Sequence, residues 1–168
     1  MDDLNEQFSQ IYDQYIEKIY RFVYLKVNSQ ETAEDITSKV FTRGWESYKN
    51  TKEPIRNPGA FLYQVARNAV VDHYRAQGRA NVVSVDAGQE IADTKGNIHE
   101  MAALNADIDN LKKSIQKLGK EHQDIIIWHY LEDMPIEEIA ELLGRPAGTI
   151  RVMLHRGLKE LKVMIQES

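Results

Sequence analysis

Cysteine is absent from the 168 residues. Its absence excludes disulfides, thiolate metal sites and a cysteine nucleophile, and it fits a reducing cytoplasm. No apolar run approaches the roughly 20 residues needed to span a bilayer, so membrane insertion is not expected. The opening MDDLNEQFSQ is acidic and polar, unlike a secretory signal. These features together predict a soluble, cytoplasmic protein. Strand alternation is missing too, except over Val82–Val85, which is too isolated to build a sheet. Positive charge is in deficit: 21 Lys and Arg stand against 26 Asp and Glu, a net −5. Taken alone, that total argues against a nucleic-acid partner.

The distribution of the charge changes this. Residues 1–80 hold 11 acidic and 11 basic side chains, and residues 111–168 hold 9 of each. Residues 81–110 hold 6 acidic and one basic, so the whole excess lies between two neutral ends. From Arg145 to Ser168 there are five basic residues against two acidic ones. Local charge governs phosphate contact more than the total does. A chain of this length makes one ordinary domain or two small ones, and the charge pattern points to two. Residues 81–107 read as an acidic linker. They lack a sustained period and contain Gly88, Asp93, Gly96 and Asn97, with a brief helix where Met101, Leu104 and Ile108 return to helical spacing. A structureless run of this length inside one compact domain would be unusual.

The last third reads as a helix-turn-helix. Ile136, Ile139, Ala140, Leu142 and Leu143 fall on one face of a short helix, with Glu137, Glu138 and Glu141 facing water. Gly144 suits the left-handed conformation that ends this helix, and Pro146 suits the first turn of the next. In that second helix Ile150, Leu154, Leu158, Leu161 and Ile165 recur at three or four residues and face inward. Arg151, His155, Arg156, Lys159 and Lys162 project outward. An apolar stripe opposite a basic one is what a major-groove recognition helix needs. The competing reading is an ordinary bundle helix with a solvated face.

Three helices are expected before the linker. Leu4, Phe8, Ile11, Tyr12, Tyr15, Ile19, Phe22 and Val23 stripe the first. The run Glu31–Glu46 gathers Ala33, Ile36, Val40, Phe41 and Trp45 on the second, and a polar loop follows over Ser47–Asn57. Asn57 caps the third, with Pro58 at its first position and Gly78 at its end. That helix interleaves Phe61, Tyr63, His73 and Tyr74 with Arg67, Asn68, Arg75 and Arg79. Such a mixture suits unstacked bases, since rings stack on base faces, an amide reads an edge and guanidinium groups hold phosphates. The competing reading packs the aromatics, Phe61 and Tyr74 in particular, into a core. The fold class is all-α: two small helical domains, the second with the helix-turn-helix and about four helices in all.

In order along the chain, these pieces resemble the extracytoplasmic-function group of bacterial sigma-70-type sigma factors. Ala33-Glu34-Asp35-Ile36 through Val40-Phe41 is similar to the helix that docks on the polymerase clamp. Phe61–Asn68, with Asp72 and Arg75, resembles the reader of the promoter −10 element. Leu111–Gly144, continuing through Gly148–Leu161, resembles the domain that reads −35. The resemblance implies a region 2-like domain over 1–80 and a region 4-like domain over 108–168. It implies polymerase contacts at Asp35, Ser38, Lys39 and Arg43. It implies −10 contacts at Tyr48, Lys49, Asn50, Phe61, Arg67, Asn68, Asp72 and Arg75, and −35 contacts at Thr149, Arg151, Val152, His155, Arg156 and Lys159. The implied partners are RNA polymerase core (the clamp of its beta-prime subunit and the flap of its beta subunit), promoter DNA and an anti-sigma factor. Linker carboxylates Asp86, Glu90 and Asp93 would thread a basic channel. No metal, cofactor or catalytic residue is implied, because polymerase core supplies the phosphoryl chemistry.

The chain departs from the family pattern in several places. Phe61 replaces a usual Trp, Ser38 a common Gln, Leu118-Gly119 a Leu-Pro pair and Pro135 a capping Ser. Val152-Met153 stands where Ser-Arg is common, which implies weaker or altered −35 binding. Two alternatives differ in class. A stand-alone helix-turn-helix regulator accounts for the C-terminal third but leaves the Ala33–Phe41 and Phe61–Arg75 wording without a role. A metal-dependent helical enzyme would use His122 and His129, yet no carboxylate is suitably grouped with them.

Overall fold

The computed structural model describes residues 2–52, 55–80 and 102–167. The chain divides into two compact units, Met1–Ile91 and Ala92–Ser168. The described residues form seven α-helices and one π-helical turn, with no strand among them. The isolated Val82–Val85 segment and the linker carboxylates Asp86, Glu90 and Asp93 lie outside the described residues.

The first unit is a three-helix bundle of α1 (Asp2–Tyr24), α2 (Gln30–Asn50) and α3 (Pro58–Ala80), each packed on the other two. Local signals start the helices. Ser29, in extended geometry, accepts a hydrogen bond from the Thr32 N–H at 3.1 Å and so satisfies one of the orphan donors of α2. Asn57 does the same for α3, accepting from the Ala60 N–H at 3.0 Å, with Pro58 in the first helical position. Burial then selects the faces. Ile19, Phe22 and Val23 of α1 meet Ala33 and Val40 of α2 and Leu62, Tyr63 and Ala66 of α3 in the core. The α1 stripe is buried in its C-terminal half, whereas Leu4 and Tyr12 are more than a third exposed.

Two helix ends differ from the expectation. The second helix does not stop near Glu46; it continues through Asn50, so Tyr48, Lys49 and Asn50 lie on its last turns and not in a loop. Aromatic packing explains the extension. Phe8 of α1 lies 5.3 Å from the Trp45 ring and 5.6 Å from the Tyr48 ring, and the Tyr48 hydroxyl donates to Gln7 Oε1 at 2.6 Å. The third helix likewise runs past Gly78 to Ala80. Among the described residues only Gly144 has a glycine φ in the left-handed region, so Gly78 stays helical and does not act as a cap.

The second unit comprises α4 (Ala102–Gln116), α5 (Lys120–Ile126), the π turn (Ile127–Leu131), α6 (Ile136–Leu143) and α7 (Ala147–Glu167). Helix α4 therefore begins inside the span read as linker. The buried run Ile125–Trp128 forms the centre of this unit, with Ile115, Ile139 and Ile150 also fully buried. Gln123 donates through Nε2 to the carbonyls of Leu118, at 2.8 Å, and Gln116, at 3.3 Å, satisfying free acceptors where α4 ends. The π turn closes with the Glu132 N–H on the Ile127 carbonyl at 3.1 Å, and Asp133 follows at φ 55°. Pro135 precedes α6 without a side-chain cap, as its lack of a hydroxyl requires.

Gly144 closes α6 at φ 67°, with the Arg145 N–H on the Ala140 carbonyl at 3.0 Å, as the turn reading required. Pro146 sits just before α7 and not within it, its carbonyl accepting from the Ile150 N–H at 3.1 Å. Ile150, Leu154 and Leu161 are buried and Leu158 is half-buried, but Ile165, two residues before the end of α7, is half exposed. Gly157 is buried where α7 crosses α5; a Cβ there would meet His122 and Ile126 at 3.5 and 3.6 Å, ordinary contact distances. Gly157→Ala should therefore raise the melting midpoint of this unit by removing backbone entropy, a gain of about 0.5–1 kcal/mol. Ile150→Ala should cost about 2–5 kcal/mol by leaving a cavity. Thermal denaturation followed by circular dichroism checks both.

Candidate nucleic-acid interface

The exposed side of α7 is built by the burial of the other. With Ile150, Leu154, Gly157 and Leu161 seated inward, positions 149, 152, 156 and 159 share the opposite stripe at spacings of three, four and three. Thr149 there is half-buried, while Val152, Arg156 and Lys159 are exposed. Arg151 and His155, four apart and both exposed, form the flank of this stripe. All six expected −35 residues thus lie on the solvent side of one helix. Arg151 Nη2 rests 3.5 Å from Glu137 Oε2 on α6, and both side chains are more than half exposed. A pair so solvated is worth at most about 1 kcal/mol, so a phosphate can replace it. Arg145 is held more firmly, with its Nη2 at 2.8 and 2.9 Å from the two carboxylate oxygens of Glu121. Arg156, Lys159 and Lys162 have no ion pair among the described residues.

On the first unit, α3 brings Phe61, Asn68, Asp72 and Arg75 onto one stripe, at spacings of seven, four and three. Arg67 is not part of it; it lies about 100° round the helix from Asn68, with Nη1 3.4 Å from Gln64 Oε1. Phe61 is half-buried, and Asn68, Asp72 and Arg75 are exposed. Two of the aromatics offered for stacking are structural instead. Tyr63 is buried edge-on against Phe22 at 5.4 Å, and the Tyr74 hydroxyl donates to the Lys26 carbonyl, tying α3 to the α1–α2 turn. Burial raises the Tyr74 phenol above its ordinary value. Helical spacing placed these rings on α3, but only the packing of α1 decided which of them face the core.

The expected docking residues Asp35, Ser38, Lys39 and Arg43 are all exposed on α2. They do not form a surface separate from α3. Arg43 Nη1 lies 4.0 Å from Asp72 Oδ2, and Lys39 is close enough to act on His73. Sequence reasoning missed both links, as it missed Glu137 beside Arg151. Residues 29 apart on two helices give no periodic signal, so none could have been found from spacing.

Two family models match the chain: sigma-70 region 2 over residues 11–80 and sigma-70 region 4 over residues 108–161. The chain is 27% identical over 172 residues to the ECF RNA polymerase sigma factor SigW of Bacillus subtilis, covering 96% of this chain and 90% of that protein. It is 26% identical over 166 residues to the ECF RNA polymerase sigma factor BldN of Streptomyces coelicolor, covering 96% of this chain but only 61% of that longer protein.

The chain belongs to the extracytoplasmic-function group of sigma-70-type sigma factors.

As a sigma factor it acts in transcription initiation with RNA polymerase. Solved folds agree. The sigma factor RpoE of Bartonella quintana, in complex with the anti-sigma factor NepR, superposes with a TM-score of 0.71 at 19% identity over 96% of this chain and 98% of that one. CnrH, in complex with the cytosolic domain of CnrY, gives 0.73 at 15% identity over 98% and 90%. Among the described residues no helix is long and apolar enough to cross a membrane. The histidines of the metal reading are engaged elsewhere: His122 Nδ1 lies 3.5 Å from Glu160, and His129 Nδ1 lies 3.1 Å from the Met134 carbonyl. Among the described residues no group of three or more His, Cys, Asp or Glu side chains is arranged to hold a metal ion.

Burial, and secondarily the Lys39 charge, holds the His73 imidazole below its ordinary 6.5. The unfolded chain then binds that proton first as pH falls, so the contribution of His73 to stability is full above about 6.5 and is lost as pH drops through the folded value. His73→Gln should flatten the acid-side decline of stability, measured as urea midpoints across pH 5–7.5.

Proposed function

We propose that this sigma factor binds RNA polymerase core through the exposed side of α2, reads a −35 element as duplex with α7, and captures a −10 base with the exposed stripe of α3. The observation that carries the reading is the division of α7 into a buried stripe and an exposed basic one, starting directly after the left-handed turn at Gly144. That is the geometry a helix needs to enter a major groove with its N-terminal turns.

The two DNA-reading surfaces have different chemistry. On α7, guanidinium, imidazole and ammonium groups reach outward and suit base edges and phosphates of intact duplex. On α3, the half-exposed Phe61 ring shares a stripe with the Asn68 amide, the Asp72 carboxylate and the Arg75 guanidinium. This combination can cover one face of an unstacked base and bond to its edge. Capturing a base that has left the stack offsets the few kcal/mol of unstacking and biases the duplex towards the open state. Lys49 and Asn50, exposed on the last turn of α2, are further candidates for −10 contact, as is Tyr48, whose ring packs on Phe8 of α1. The linker carboxylates Asp86, Glu90 and Asp93 would occupy a basic channel of the polymerase. An anti-sigma factor is a further partner, since the sigma factor RpoE, of like fold, was solved bound to one, and CnrH, also of like fold, was solved bound to a second protein.

Transcription in vitro with purified core and a promoter library tests the whole assignment; no promoter-dependent transcript would leave only a stand-alone regulator. Arg156→Ala should weaken −35 duplex binding by about 1–3 kcal/mol if its contact is bidentate to a base, and should lower the salt slope. Asn68→Ala should leave duplex binding intact and impair opening, read as lost permanganate reactivity at −10 thymines. For docking, Asp35→Ala with Lys39→Ala should lower affinity for core while helicity is unchanged. Arg43 is avoided in that pair because it also touches Asp72.

A further inference from the structure

Val152 is 48% exposed on the stripe it shares with Thr149 and Arg156. It lies in the second turn of α7, within the part of a recognition helix that meets base edges. Its neighbour Met153 is presented differently. Met153 is half-buried, and its Sδ lies 3.9 Å from Arg145 Nη1, while Glu121 clasps that same guanidinium. Of the two adjacent apolar residues, only Val152 is offered to a ligand. The other exposed apolar side chains of α7, Val163 and Ile165, lie near its far end, about 15 Å or more along the axis.

An isopropyl group neither donates nor accepts a hydrogen bond. Pressed against a base edge it would strip water from a donor or acceptor and replace nothing. The major groove presents one apolar group on its base edges, the C5 methyl of thymine. Resting on the reading of α7 as the −35 helix, we infer that Val152 selects thymine at one position of the −35 element by packing on that methyl group. Arg156, one turn on, fixes the register through an adjacent base or phosphate. The absence of a hydroxyl at position 152 is then a change of base preference and not only a lost phosphate contact.

The test uses holoenzyme assembled from the full chain and polymerase core. Promoters are first selected from a library randomised at −35. Each thymine of the selected −35 element is then replaced singly by deoxyuridine, which deletes only the methyl group, and binding is compared. One replacement should weaken binding roughly three- to fivefold, the value of burying one methyl. Val152→Ser should abolish that penalty and Val152→Ile should keep it, with melting curves of both variants matching wild type. A selected element without thymine, or a deoxyuridine penalty that Val152→Ser leaves unchanged, overturns the inference while leaving α7 as the −35 reader. Failure to select any −35 sequence overturns that assignment, and the inference with it.

Discussion

Ile150 is fully buried at the start of α7, and its seat sets the rotation of that helix about its own axis. Once Ile150 points inward, the 3.6-residue repeat sends Leu154, Gly157 and Leu161 to the same side. Thr149, Met153 and Leu158 are left half-buried at the edges of that side, and Arg151, Val152, His155, Arg156 and Lys159 face solvent. The positive φ of Gly144 sets the direction from which α7 leaves α6, and α7 lies against α5 at Gly157, where a Cβ would also fit. The arrangement of Thr149, Val152, Arg156 and Lys159 is thus a consequence of apolar burial elsewhere. No interaction among those four residues is needed to hold it.

The first unit depends on the same division of faces but uses aromatic rings to achieve it. Phe8 gathers Phe41, Trp45 and Tyr48, and Phe22 receives Tyr63. These rings bury large areas with few rotatable bonds, and they carry α2 one full turn beyond its expected end. Of the polar residues left outside, Arg43 of α2 reaches Asp72 of α3, while the Lys39 charge disfavours protonation of His73. The side of α2 proposed to meet polymerase and the stripe of α3 proposed to hold a base are therefore linked through Arg43 and Asp72. The Arg43–Asp72 pair is solvated and weak, which leaves both side chains available for new partners.

Three stretches that resemble the family, in order along the chain, and the apolar periods, the caps at Asn57 and Gly144 and the charge excess confined to one strip all point to the same all-α architecture. Where they diverged from the structure, tertiary packing was responsible. Tyr63 and Tyr74 look like stacking platforms on a helical wheel because a wheel does not show which neighbour covers a face. Ile165 continues the apolar period of α7 yet is half exposed, because the period does not show how far burial extends along a helix.

The all-α class, the positions of the two helices proposed to read DNA, and the outward projection of Arg151, His155, Arg156, Lys159 and Lys162 were legible in the sequence. They follow from period and composition, which are local properties of consecutive residues. Only the tertiary structure decided which aromatics of α3 are buried, where α2 ends, and that Glu137 reaches Arg151. It also separated Val152 from Met153, two adjacent apolar residues with opposite fates. The physical reason is common to all of these. Each depends on a second element arriving at a particular face, and residues far apart in the chain leave no periodic trace of that meeting.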